Sequence, residues 1–234
     1  MELVVLSDLT RTLREEERLV WQRLVRVLSH EINNSLAPIR SLAGTLTSLL
    51  ERSPRAPDAE SDLRRGLDVI GTRAESLNRF MASYARLARL PAPTPGDVVV
   101  ADWIQRVVGL EPGASVTVVP GPDLVIHGDG DQLDQVLINL LKNALEAVQG
   151  RGAVEVGWRL LDSGMVEVWV RDDGPGLPAS ANLFVPFFTT KPGGTGIGLA
   201  LSRQITEAHG GSLVLTNRGD APGALARIRL PASY

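Results

Sequence analysis

The 234-residue sequence contains no cysteine. That excludes disulfides, thiolate metal sites and cysteine nucleophiles together, and it fits a reducing cytosol. No apolar run approaches the roughly 18 to 20 residues of a membrane span. Met1-Glu2-Leu3 does not read as the start of a signal peptide. A basic excess is missing too. The net charge is −3, so nucleic acid is not the default partner. Lysine is scarce: of 24 basic residues 22 are arginine, and the two lysines, Lys142 and Lys191, both fall inside motifs described below. Zinc spacing is absent, since His30-Glu31 lacks the second histidine of His-Glu-x-x-His. No internal repeat or low-complexity tract interrupts the chain. What remains is 44% hydrophobic and long enough for two modest domains.

Helical periodicity comes first. Met1–Thr10 is a short apolar strand-like run, read as the tail of an upstream sensor domain or linker. From about Leu9 to Glu51 apolar residues recur at spacings near three and four. Pro38 lies inside that stretch and predicts a local kink. Ser53–Asp58 is a turn, and a second apolar stripe runs from about Ala59 to Leu90. Two long helices joined by a turn form a hairpin that buries little alone. Residues 11–90 are therefore expected to pair with a second copy as a four-helix bundle, making a homodimer.

Residues 91–96 form a proline-rich linker, and beyond it the periodicity changes. Strand runs fall at Val98–Val100, Ser115–Val119, Leu124–His127, Ala153–Leu161, Met165–Arg171, Ser212–Thr216 and Ala224–Leu230. Helical runs fall near Ala101–Leu110, Gly130–Gln149 and Gly196–His209. The fold class is α+β: the hairpin, then a two-layer α/β sandwich over residues 97–234.

Five clusters carry chemistry. In Ser29-His30-Glu31-Ile32-Asn33-Asn34 a titratable imidazole sits beside a carboxylate, and Asn34 returns to the histidine's face one helical turn on. In Gly130–Ala147 the polar face carries Gln135, Asn139, Lys142, Asn143 and Glu146. Amide oxygens of Asn139 and Asn143 suit Mg²⁺ as hard donors, although a solvated amphipathic helix reads the same way. Asp172-Asp173-Gly174-Pro175-Gly176 follows a strand and admits close backbone approach, or is simply a turn. Leu183–Lys191 contains the pair Phe187-Phe188, read as a packing anchor for the flap bearing Lys191. Pro192–Leu201 is glycine-rich and then opens a helix whose free N–H groups suit a phosphate. His127 and His209, at the ends of predicted elements, are read as structural.

Singly these are ambiguous; their order is not. An Asn helix, then Asp-x-Gly-x-Gly, then Phe-Phe-Thr-Thr-Lys, then Gly-x-Gly-x-Gly resembles the ATP-binding domain of histidine kinases. His30-Glu31-x-x-Asn34 resembles their dimerisation and phosphoacceptor hairpin. The resemblance spans about residues 10–230 and is greatest to the nitrogen-regulation sensors of bacterial two-component systems. Met1–Thr10 is similar to the last strand of a PAS sensor domain.

The resemblance implies ATP and Mg²⁺ as cofactors, and a response regulator receiver domain as partner. His30 would be the phosphoacceptor, Glu31 its general base, and Asn34 the group that positions water for phosphatase activity. Asn143 would be the Mg²⁺ ligand, with Asn139 and Lys142 nearby. Asp172 would accept from the adenine amino group. Gly174, Gly176, Gly194, Thr195, Gly196, Gly198 and Leu199 would shape the cleft, and Lys191 would reach the phosphates. Ser35 stands where many relatives have proline, and the lid, about Leu177–Gly193, is short. The implied location is cytoplasmic, alone or as part of a membrane-bound sensor, with no direct membrane contact. Two rivals are a chaperone- or topoisomerase-type ATPase with the same cleft, which lacks a phosphoacceptor helix, and a non-catalytic scaffold.

Overall fold

The structure is a computed structural model that describes residues 29, 32–51, 58–88, 90–110, 116–178, 182–189, 191, 196–219 and 221–233. Outside the described residues lie the run at 1–10, the first part of the long helix, most of the Ser53–Asp58 turn, His30, Glu31, Gly194 and Thr195. The fold falls into two compact units, one ending at Ala85 and one running from Arg86 to Tyr234. No helix among the described residues is long and apolar enough to cross a membrane.

The first unit holds α1, residues 32–51, and α2, Ala59–Ala88. Helix α1 continues through Pro38. Its hydroxyls stay inside the helix: Thr45, Thr47 and Ser48 each donate to the carbonyl four residues back. Helix α2 opens with Glu60 and Asp62 in its first turn, where carboxylates complement the helix dipole. Leu46 reaches α2 at Gly66, where a Cβ would lie 2.6 Å from Leu46 Cδ2. Few side chains are covered. Ser35, Leu46 and Ala59 are buried, but Leu36, Leu50, Leu67 and Met81 are exposed.

Among the described residues, the second unit is a seven-stranded mixed sheet with three helices. Its elements are β1 (Gly96–Val99), α3 (Val100–Gly109), β2 (Val116–Val119), β3 (Val125–Gly128), α4 (Gly130–Val148), β4 (Val154–Leu160), β5 (Met165–Asp172), α5 (Gly198–Ala208), β6 (Ser212–Asn217) and β7 (Ala224–Ser233). Strand order is β1-β3-β7-β5-β4-β2, with β6 also pairing β7. The β2–β4 pair is parallel and the rest are antiparallel. Two boundaries differ from the periodicity. Gly96 already pairs with Gly128, and Val100 begins α3, with its N–H on the Leu124 carbonyl. Strand β7 runs on through Pro231. On one edge β6 covers residues 224–229 and β3 covers 232–233, so the residue without an N–H falls between partners.

Alternation sorts the sheet into two faces. Val154, Val156, Val166, Val168, Val170, Ile228 and Leu230 face the helical layer, where Leu133, Val136, Leu137, Leu140 and Leu141 of α4 are buried in the same core. The other face carries Glu155, Arg159, Glu167, Arg171 and Arg229. Glu167 is 1% exposed, yet Arg159 and Arg229 both reach it. Burial alone would push its carboxyl up; the hydrogen bonds and charges of the two guanidiniums outweigh this and hold it below its ordinary value. This is the expected two-layer α/β sandwich.

Candidate nucleotide site on helix α4

Helix α4 is placed by its ends. Asp129 caps it, its Oδ1 accepting from Gln132 N at 3.1 Å while Oδ2 accepts from Thr94 N at 2.8 Å. The Asp129 N–H in turn donates to His209 Nε2 at 2.9 Å, and His209 Nδ1 lies 2.8 Å from the Ile205 carbonyl. His209 is thus a strut from the end of α5 to the start of α4, as its structural reading expects. His127 lies 3.2 Å from Asp97 on the surface.

The inner face of α4 packs on the sheet, and its polar flank gathers three motifs distant in sequence. At Asn139, the amide Nδ2 donates to Ser202 Oγ at 2.9 Å, and Gly198 lies so close that a Cβ there would overlap Asn139 Oδ1. One turn later, Asn143 Oδ1 accepts from Lys191 Nζ at 3.0 Å. One turn further, a Cβ at Gly174 would lie 2.9 Å from Ala147 Cβ. Positions 139, 143 and 147 repeat every four residues, so one stripe of the helix receives Gly198 at the start of α5, the flap lysine and the Asp-Gly turn in that order. Lys142 is exposed on the same helix, and Leu199 packs partly buried against the core.

Asp172 ends β5 with its side chain buried. Its Oδ1 accepts from Gly174 N at 2.9 Å and Ala224 N at 3.3 Å. The described bonds to the carboxylate use Oδ1, which leaves Oδ2 as an acceptor for an incoming N–H. The turn behind is braced from β6: Leu177 N, next to Gly176, donates to Asn217 Oδ1 at 2.6 Å. Arg218 pairs with Asp173.

The flap is anchored by aromatic rings. Phe184 and Phe187 pack on the core, and the Arg203 guanidinium lies 5.4 Å from the Phe184 ring centroid. Phe187 takes φ +67° and donates its N–H to the Gly196 carbonyl at 2.8 Å. Gly196 takes φ +63° and passes so close that a Cβ would lie 2.5 Å from the Phe187 carbonyl carbon, so this neck requires glycine. Asn34, in the first unit, is exposed.

Some site residues went unmarked by sequence reasoning. Ser202 is one helical turn after Gly198, a spacing that could have flagged it. Glu146 was only one of five polar residues on α4. Asn217 gives no sequence signal, because its role depends on strand pairing. The donor set fits magnesium with a purine nucleotide: a neutral amide oxygen at Asn143, a buried acceptor at Asp172, and the Lys191 ammonium on Asn143.

Comparison with known proteins agrees with this geometry. Residues 128–234 match the family of histidine kinase-, DNA gyrase B- and HSP90-like ATPases. The sensor protein kinase PilS of Pseudomonas aeruginosa is 32% identical over 239 residues, covering 94% of this chain and 43% of PilS. The nitrogen regulation protein NtrY of Azorhizobium caulinodans is 29% identical over 243 residues, covering 98% of this chain and 31% of NtrY. The chain therefore spans less than half the length of either relative. Among solved structures, the nucleotide-free catalytic domain of the histidine kinase ThkA superposes with a TM-score of 0.52 at 30% identity, over 58% of this chain and 95% of that domain. An ATPase-type domain that follows a helical hairpin in the sequence, with similarity running along nearly the whole chain, makes this a member of the bacterial sensor histidine kinases.

Proposed function

We propose that the chain is the kinase core of a two-component sensor, which autophosphorylates His30 from Mg·ATP and passes the phosphoryl group to an aspartate of a response regulator. The observation that carries this is the convergence of three nucleotide motifs on one stripe of α4. Bound Mg·ATP supplies the γ-phosphoryl group and a metal to neutralise phosphate charge. The chain's own groups do the rest. Asp172 Oδ2 accepts from the adenine amino group. Asn143 offers one oxygen to the metal, with Asn139 held beside it by Ser202. Lys191, with Lys142 near, supplies positive charge toward the phosphates, and the loop through Gly194, Thr195, Gly196 and Gly198 closes around them. His30 receives the phosphoryl group on a ring nitrogen while Glu31 takes its proton. Asn34 orients water against the phosphorylated regulator, giving phosphatase activity.

Residues 11–90 form the homodimer interface, and the chain works in the cytoplasm. The exposed Leu36, Leu50, Leu67 and Met81 of the hairpin support pairing with a second copy. Incubation with γ-labelled ATP tests the assignment. The expected label is acid-labile, base-stable and lost in His30→Gln. Label persisting in that variant overturns the role of His30, and steady ATP turnover without any phosphoprotein favours the chaperone-type ATPase.

A further inference from the structure

The flap lysine is already engaged. Lys191 Nζ donates to Asn143 Oδ1 at 3.0 Å and to a Glu146 carboxylate oxygen at 2.5 Å. The Lys191 backbone is held as well, its N–H donating to Thr189 Oγ1 at 3.1 Å. Asn143 Oδ1 is the oxygen assigned above to the metal. An ammonium and a divalent cation repel each other at such separations, so full occupancy by one displaces the other. A neutral amide oxygen alone is a weak anchor for an ammonium; a carboxylate is a strong one. Glu146, one turn beyond Asn143 on the same face of α4, therefore decides where the ammonium rests.

We propose that Glu146 is a positioning residue of the nucleotide site: it parks Lys191 on Asn143 and so makes Lys191 a resident competitor for the divalent cation. Metal entry at Asn143 and release of Lys191 toward the phosphates are then one exchange. Until a metal with its nucleotide arrives, Asn143 does not stand open. The inference rests on the Mg·ATP reading of the site. The side chains of Lys191 and Glu146 are 43% and 60% exposed, so water screens the pair. An exposed ion pair of this kind shifts an equilibrium by no more than about fivefold.

The test is binding rather than turnover. The full 234-residue chain is titrated with Mg²⁺ in the presence of a fluorescent ATP analogue. In Glu146→Gln the half-saturating Mg²⁺ concentration is expected to fall about two- to fivefold. Loss of a nearby negative charge would by itself raise that concentration, so a fall identifies the exchange. In a Lys191→Ala background the benefit of Glu146→Gln is expected to vanish. A rise or no change in Glu146→Gln overturns the proposal, and so does an equal fall in the Lys191→Ala background. Failure of the unmodified chain to bind the analogue at any Mg²⁺ concentration overturns the nucleotide reading itself.

Discussion

Asp172 shows how one side chain divides its two oxygens. Oδ1 is committed to the backbone N–H groups of Gly174 and Ala224, and this sets the turn. Oδ2 is the oxygen that the proposed function gives to the adenine amino group. Asp172→Asn keeps an oxygen for the two backbone donors but places an N–H₂ group where Oδ2 stood. The fold should persist while ATP-analogue binding falls about tenfold to a hundredfold, the range for losing a hydrogen bond to a charged acceptor. Relative binding of a GTP analogue should rise, because the new donor suits the guanine carbonyl. Calorimetric titration with both nucleotides checks this, and equal losses for both would place Oδ2 outside base recognition. Sequence alone exposed Asp172 as a candidate. It could not expose Ala224 as the partner that fixes the carboxylate, since that contact crosses 52 residues.

At the scale of elements, Asp129 fixes where α4 begins. The Asp129 carboxylate accepts from Thr94 and Gln132 backbone N–H groups, and these bonds hold its pKa below the ordinary aspartate value. The ionised form is thus favoured in the folded state. Its stabilising contribution is present above the unfolded aspartate pKa, near 4, and is lost as pH falls through the lower folded value. Asp129→Ala should cost about 1 kcal/mol at neutral pH, as for other N-caps. The loss should shrink toward zero at acid pH, where the wild-type carboxyl is also neutral; urea unfolding across pH reads both. The elements themselves were legible because apolar alternation and 3.6-residue periodicity leave strong local marks. All seven strand runs and the three helical runs in the second unit appear in the fold. The mixed strand order and the Pro231 gap were not legible, because they depend on which edges meet.

For the whole molecule, the two units contrast in how much they cover their own apolar surface. The second buries a continuous core through α3, α4, α5 and the sheet. Residues 86–234 expressed alone are therefore expected to fold cooperatively and bind the ATP analogue as a monomer. The hairpin leaves Leu67 59% exposed. In the full chain, Leu67→Glu should shift the mass seen by light scattering from dimer toward monomer, without changing nucleotide affinity by more than about twofold, as expected for independent sites. Persistence of the dimer would locate the interface away from this stripe of α2.

The hydrogen bond from Phe187 N–H to the Gly196 carbonyl has a further consequence for how such chains can diversify. It ties the two ends of the flap together at its base, against rings that belong to the core. A peptide closed in this way adds length at little entropic expense, about 0.6 kcal/mol for each doubling. Insertions and deletions between residues 188 and 195 are then expected to leave the packing of α4 and α5 on the sheet intact, while shifting the Lys191 contact with Asn143 and Glu146. Flap length becomes a trait that evolution can vary separately from the packing of the domain, with its cost falling on how Lys191 meets the nucleotide.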